Sequence, residues 1–458
     1  MPPALHRSRF LLMAPLIAAT LLAGCAGTPL PAERQARETN IRAGAQLGLG
    51  EPSAVLPELN PDSPPADFIR FALLNHPAVK AAYHDWHASI SDIAPARALP
   101  DPQLTFEADI TDTLMAFMPG LMFDFMSAGK RSAMAAELTA GSEVARRAFD
   151  AAVLRTAAEV RRAWIELAYA REAGELYEAA IGDLEEALAL DNARFATVGM
   201  MASLEPQVRL QNQIAEHHSH HLAIEDRIAA ARSRFKAALG LLPSDPDPAW
   251  PRAVLALTPL PSEDELWRRT LAANPELARM RAMVEMAVAG VEVARKTRTP
   301  DFSVGLMSDL KASPLMFRPS ASLSLPVWRE KIAETIAAAE ARRDAAEARV
   351  TAEQLTMAAE LARMLYMVRE AERMLAYIDG TALPNLDRMS ATAEAGYQTG
   401  AGGPGMITEA RHMATLMRLD RLDALREREN AATDLLLMTA DIAPSDLSAP
   451  ADGDAHGS

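Results

Sequence analysis

Cysteine is almost absent from this chain of 458 residues. Cys25 is the only one, so no disulfide can form within the chain. Aromatic residues are scarce at 5%, although hydrophobic residues reach 49%, and alanine makes up much of the difference. Long helices packed at close quarters use alanine in this way. Basic charge is also lacking. The formal net charge is −15 and no basic stripe with interleaved aromatics occurs, which argues against nucleic acid as a partner. After the first 25 residues no apolar stretch reaches the ~18 residues of a spanning helix, so further membrane contact would need β-strands. No Gly-rich phosphate loop, Cys–His pair or Ser–His–Asp arrangement stands in a recognisable context. Paired acids such as Glu185-Glu186 read as solvated helix faces. The chain is therefore expected not to be an enzyme and to need no cofactor.

Proline is missing from Lys130 to Val198, a stretch rich in Ala, Leu, Glu and Arg. Its apolar positions step alternately by four and three: Phe149, Val153, Thr156, Val160, Ala163, Leu167, Ala170, Gly174, Tyr177, Ile181, Leu184 and Leu188. That rhythm is a coiled-coil seam. About 65 helical residues would span ~100 Å, too long for a compact domain.

The start of the chain reads as a secretory signal over residues 1–24, with His6, Arg7 and Arg9 ahead of the apolar core Phe10–Ala23. Leu22-Ala23-Gly24-Cys25 resembles the bacterial lipobox, whose cysteine becomes the first mature residue and carries lipid, palmitate included. Cys25 is thus the expected lipidation site; an ordinary signal with an incidental cysteine is the alternative. Ala26 stands where an Asp would oppose sorting outward, and by resemblance to the sorting rules this favours the outer membrane. The proline-rich segment 25–65 reads as a lipidated, extended tether.

The rest of the chain is an internal repeat. Pro77 and Pro275 each open a helix of about 25 residues, and Pro102 and Pro300 each precede a short strand, both pairs lying 198 apart. Second strands are expected around Leu121–Met126 and Ala321–Leu325, with Leu114–Pro119 as an apolar linking loop. The long-helix seam recurs 201 residues on: Val350, Gln354, Met357, Leu361, Met364, Val368, Ala371, Leu375 and Ile378. Each long helix turns near a glycine, Gly199 or Gly400, and a last helix returns. The halves are residues 66–242 and 262–443, joined by a proline-dense linker, 243–261, and followed by a disordered tail, 444–458. Pro384 is expected to kink the second long helix. In the strands Leu104, Phe106, Ala108 and Ile110 oppose Thr105, Glu107, Asp109 and Thr111. Such alternation suits a water-filled barrel in lipid, and equally two soluble hairpins on a core.

With this ordered plan, the chain resembles the TolC-like outer-membrane efflux proteins over nearly all its length after the lipobox. Arg194-Phe195-Ala196-Thr197-Val198-Gly199-Met200 looks like that family's helix tip. Pro100-Asp101-Pro102-Gln103-Leu104-Thr105 and Gly129-Lys130-Arg131 look most like its heavy-metal branch. The resemblance implies a mainly α fold with a small β part, a duplicated helix-strand-strand-long helix-helix repeat. In a homotrimer this makes a long antiparallel coiled-coil α-barrel and a 12-stranded β-barrel. It implies an exit duct that passively exports metal ions or drugs and is served by a periplasmic adaptor and an inner-membrane pump. The competing expectation is a lipid-anchored periplasmic coiled-coil scaffold without a pore.

The resemblance maps adaptor docking onto Val198, Gly199 and Met200, and onto Gly400 and Gly402; the plainer reading is that these residues only make the turn. Glu205 and Glu409, just past the tips, match the family's acidic constriction, or are acids favoured near a helix start. His217 and His221 lie four apart on the return-helix seam and could hold a metal ion, with no further ligand in register; polar seam residues fixing register are the alternative. Met280, Met283 and Met286, and Met357, Met364, Met367 and Met374, could pass Cu(I), though Met more often fills gaps in helical cores.

Overall fold

The computed structural model describes residues 28–49, 56–110, 114–198, 204–399 and 403–442. The first half runs α1 (Pro31–Gln46), α2 (Pro65–Asn75), α3 (Pro77–Ser91), α4 (Ile93–Arg97), β1 (Gln103–Ile110), β2 (Leu114–Phe125), α5 (Ala128–Val198) and α6 (Glu205–Ala238). The second runs α7 (Glu263–Ala273), α8 (Pro275–Lys296), β3 (Asp301–Asp309), β4 (Met316–Ser324), α9 (Arg329–Tyr377), α10 (Leu383–Gln398) and α11 (Pro404–Met438). Proline opens α1, α2, α3, α8 and α11, at the position where its missing N–H costs nothing and its fixed φ suits the helix. Ser262 caps α7, its side chain accepting from the Glu265 N–H ahead of three acids in the first turn.

Two compact units form. One holds the described residues up to Gln46, with Ala81–Phe149 and Pro275–Gln354; the other holds Leu47–Lys80, Asp150–Asn274 and the chain from Leu355 onward. The first contains a four-stranded antiparallel sheet in the order β1-β2-β3-β4. The strands outrun their sequence bounds. Leu114–Pro119, expected as a loop, are part of β2 and pair with β1, Pro119 opposite Phe106 and Phe117 opposite Ala108. Phe106 stacks on Phe117 at 6.0 Å, so an aromatic residue of the expected loop has a cross-strand partner. Pro319 lies in β4, an edge strand, where a missing donor is tolerated.

The same unit corrects the reading of residues 25–65 as wholly extended. Residues 31–46 are α1, which packs on α3 and α4. Glu33, fully buried, accepts from Arg37 Nη2 at 3.1 Å and from Arg97 Nε at 3.1 Å. Asn40 Oδ1 meets His87 Nδ1 at 2.8 Å. Proline here opens a helix rather than excluding one.

In the second unit the seam residues fill the core as their spacing predicts. Val153, Val160, Ala163 and Leu184 are buried, as are Met357, Leu361, Val368 and Ile378. Pro384 does interrupt the second long helix, as a π-helical turn over Ile378–Ala382. One wider turn relieves the clash between the proline ring and the carbonyl four residues back. The linker has no helix or strand, yet it is held along its length. Lys236 Nζ donates to Pro243 O at 3.2 Å, Arg171 Nη2 to Ala253 O at 2.8 Å, and the Thr258 N–H to Glu429 Oε1 at 2.9 Å. It is a strap.

Candidate functional site: a two-faced sheet and the helix ends

Antiparallel register assigns every strand residue to a face. Leu104, Phe106 and Ala108 of β1 share a face with Phe117, Leu121, Phe123 and Phe125 of β2. Phe302, Val304 and Leu306 of β3 and Phe317, Ala321 and Leu323 of β4 complete it. Most of these large side chains are exposed: Leu104 by 64%, Phe106 by 62% and Phe317 by 61%. The opposite face carries Thr105, Glu107, Asp124, Ser303, Arg318, Ser320, Ser322 and Ser324. Asp124 organises it, accepting from Gln103 Nε2 at 3.0 Å and from Ser303 Oγ at 2.5 Å. Where β2 gives way to α5, Lys130 Nζ bonds Asp301 Oδ2 at 2.6 Å, tying the start of the long helix to β3. An apolar face turned to solvent is the unusual feature, because a soluble sheet would bury it.

The helix ends are the second candidate. Val198 is the last residue of α5. Gly199, Met200, Gly400 and Gly402, like Cys25, lie outside the described residues. Glu205 and Glu409 are both exposed near the starts of the return helices α6 and α11. Glu409 lines a small groove with Asp191, Arg209, Gln213 and Thr408.

His217 is buried, but its partner is not the one its helix spacing suggests. Its Nε2 lies 3.1 Å from Nδ1 of His412 on the other return helix, and Tyr177 packs against its ring. His221 is part-exposed and faces Glu225 at 4.0 Å. Burial holds the His217 pKa below the ordinary imidazole value; His412 and His220 add to this and Glu216 opposes it. Among the described residues no group of three or more His, Cys, Asp or Glu gathers as a metal site. Of the methionines on or beside the second seam, Met357 and Met364 are buried as fillers, whereas Met374 is 48% exposed.

Sequence reasoning could not find the contact of His217 with His412, since the two lie 195 residues apart on different helices. It also missed a clamp on Tyr169, whose ring carries Arg227 on α6 and Arg426 on α11, each 4.4 Å from the centroid.

Residues 266–440 match the family described as Outer membrane efflux protein. No curated protein matches the chain by sequence. Solved structures do match. CusC, described with its folding and transmembrane channel formation, has a TM-score of 0.70 at 16% identity, over 86% of this chain and 96% of CusC. The outer membrane protein VceC of Vibrio cholerae has 0.66 at 17% identity, over 82% of this chain and 95% of its own. The Campylobacter jejuni CmeC outer membrane channel has 0.68 at 13% identity, over 86% and 91%. At such identities the likeness is one of fold. The second repeat thus matches the outer membrane efflux protein family, and the chain over most of its length has the fold of the TolC-like channels.

Proposed function

We propose that this chain is the outer-membrane exit duct of a tripartite efflux system, working as a homotrimer anchored by lipid on Cys25. The observation that carries the reading is the sheet. One face is apolar and exposed, the other polar, and β1 and β4 are left as open edges. Open edges with a lipid-compatible face call for closure by copies of the same sheet. Three copies would supply twelve strands, an even number as bacterial barrels use, with the apolar face in lipid and Asp124 and the serines toward water. In this reading the ends of α5 and α10, with Gly199, Met200, Gly400 and Gly402, meet a periplasmic adaptor coupled to an inner-membrane pump. Glu205 and Glu409 line the narrow end. The duct performs no chemistry and passes what the pump delivers, metal ions or drugs.

Conductance tests this. Purified protein in a planar bilayer should show discrete channel steps, enlarged in a Glu205→Ala/Glu409→Ala variant. A folded, membrane-extracted protein that conducts in neither form, and leaves the membrane once Cys25→Ser removes the anchor, would establish a periplasmic scaffold instead.

A further inference from the structure

The alternation of the sheet fails at its methionines. Large apolar side chains occupy the exposed apolar face, yet Met118, Met122, Met307 and, opposite Asp309 on the edge strand, Met316 stand on the polar one. Register gathers the first three. Met307 pairs directly with Gly120, and Met118 and Met122 lie two residues to either side of that glycine, on the same face. Met307 lies across Gly120 and fills the space a Cβ would need, beside Thr105 Oγ1. Diagonal neighbours on a sheet face stand ~7–8 Å apart, within reach of long side chains. Met118 is 1% exposed, whereas Met122 and Met307 are half-buried and open to the polar side. Glu107 is directly opposite Met118. Leu310 N–H donates to Phe117 O at 3.0 Å, which carries the β2–β3 register onward and sets Asp309 beside Met118.

We propose that Met118, Met122 and Met307 form a binding site for a soft monovalent cation, Cu(I) or Ag(I), on the polar face of the sheet. Thioethers are neutral, polarizable donors that select soft cations and bind hard ones such as Mg(II) and Ca(II) poorly. Three of them from two adjacent strands can supply a trigonal donor set. Arg318 pairs with Met307 on the same face, and the carboxylates of Glu107 and Asp309 offset its charge and the incoming one without being needed as ligands. Core filling does not account for the trio: the seam methionines sit among Leu and Val, whereas these sit among Thr105, Glu107, Asp124, Ser303 and Ser320. Thioethers also have no proton to lose, so this site, unlike an imidazole or thiolate site, holds its cation in mild acid. The site lies within the sheet of one chain and does not depend on the duct reading.

The test uses full-length protein in detergent, with Cys25→Ser throughout to remove the only cysteine. Ag(I), Cu(I) under reductant and Zn(II) are each titrated at pH 7 and pH 5, and bound metal is counted by mass spectrometry after desalting. A Met118→Leu/Met122→Leu/Met307→Leu variant keeps side-chain volume and removes the sulfur. It should lose one bound Ag(I) per chain at both pH values, while a Met280→Leu/Met283→Leu/Met286→Leu control loses none. Zn(II) should not be retained at pH 5 by any form. Should the triple variant misfold by circular dichroism, Met122→Leu alone carries the test and should weaken Ag(I) binding. Unchanged Ag(I) stoichiometry and affinity in folded variants, or absence of Ag(I) binding by the parent protein, would overturn the site.

Discussion

The two repeats close their cores at equivalent places with different chemistry. In the first, Phe68, Trp164 and Phe235 form an aromatic triad, with Phe68 centred 5.4 Å from each of the other two rings. In the second, the residues 198, 201 and 200 positions on are Leu266, Leu365 and Leu435, buried in one cluster. The return helices differ as well. α11 buries the adjacent pair Arg428 and Glu429, where α6 has Ile228 and Ala229. Glu429 accepts from Arg161 Nη2 at 3.2 Å, from Arg428 Nη1 at 2.7 Å and from Thr258 of the strap. The two halves share a backbone plan but differ inside: the first relies on ring packing, whereas the return helix of the second carries a buried charge network that takes in Arg161 of the first half and holds the strap. The scarce aromatics are concentrated where the first repeat needs them.

The comparison is broken most severely at the charge network. Glu429→Ala strands Arg161 and Arg428 without their shared acceptor and should cost about 3–5 kcal/mol in chemical denaturation. A loss within the range of an exposed pair, ~1 kcal/mol, would mean that the network holds nothing. Next comes the triad. Trp164→Ala should cost about 3–5 kcal/mol, and more than Leu365→Ala at the matching position of the second repeat; equal costs would show that the two cores are interchangeable. The long helices provide a third contrast. Asp183 lies 201 residues before Pro384, and Asp183→Pro should cost ~3 kcal/mol relative to Asp183→Ala, because the first helix has no π-turn to receive it. Comparable stability of the two variants would remove the distinction between the helices.

The smallest effect is on pH dependence. His217 has its pKa held below the ordinary imidazole value, with His412 on α11, Tyr177 on α5 and Glu216 and His220 on its own helix around it. The folded state therefore disfavours its proton more than the unfolded chain does. Its contribution is intact above the unfolded value of ~6.5 and declines as pH falls through that value toward the lower folded one. Melting temperature should drop more steeply below pH 6.5 in the parent than in His217→Gln. Parallel curves would place the acid sensitivity elsewhere.

Much of this architecture was legible because it rests on local periodicity. A 4-3 seam from Phe149 to Leu188 can only be a long helix, and the matching offsets of Pro77, Pro102 and Gly199 expose the duplication without any partner chain. Failures came where local composition and tertiary pairing disagree. Leu114–Pro119 read as an apolar loop because their β1 partners are invisible in sequence. The prolines at 31 and 65 looked like tether residues, whereas each opens a helix. Helical spacing pairs His221 with His217, whereas the packing of α6 against α11 brings His412 there instead. The grouping of the polar-face methionines is not legible in the sequence, since neighbours across strands need the register of β2 on β3.

One small contact bears on ancestry. Asn75 Nδ2 donates to Leu239 O at 3.2 Å, and Asn274 Nδ2 donates to Met438 O at 3.0 Å; each bond closes a span of 164 residues. In both repeats an amide at the end of the opening helix pins the end of the return helix. Each repeat is thereby sealed before the next begins, and the seal needs nothing from the other half. A half-length forebear would have possessed it complete. Tandem fusion of two such genes would then add the strap between Pro243 and Pro261 to halves that also meet where β2 pairs with β3 and where Arg161 reaches Glu429.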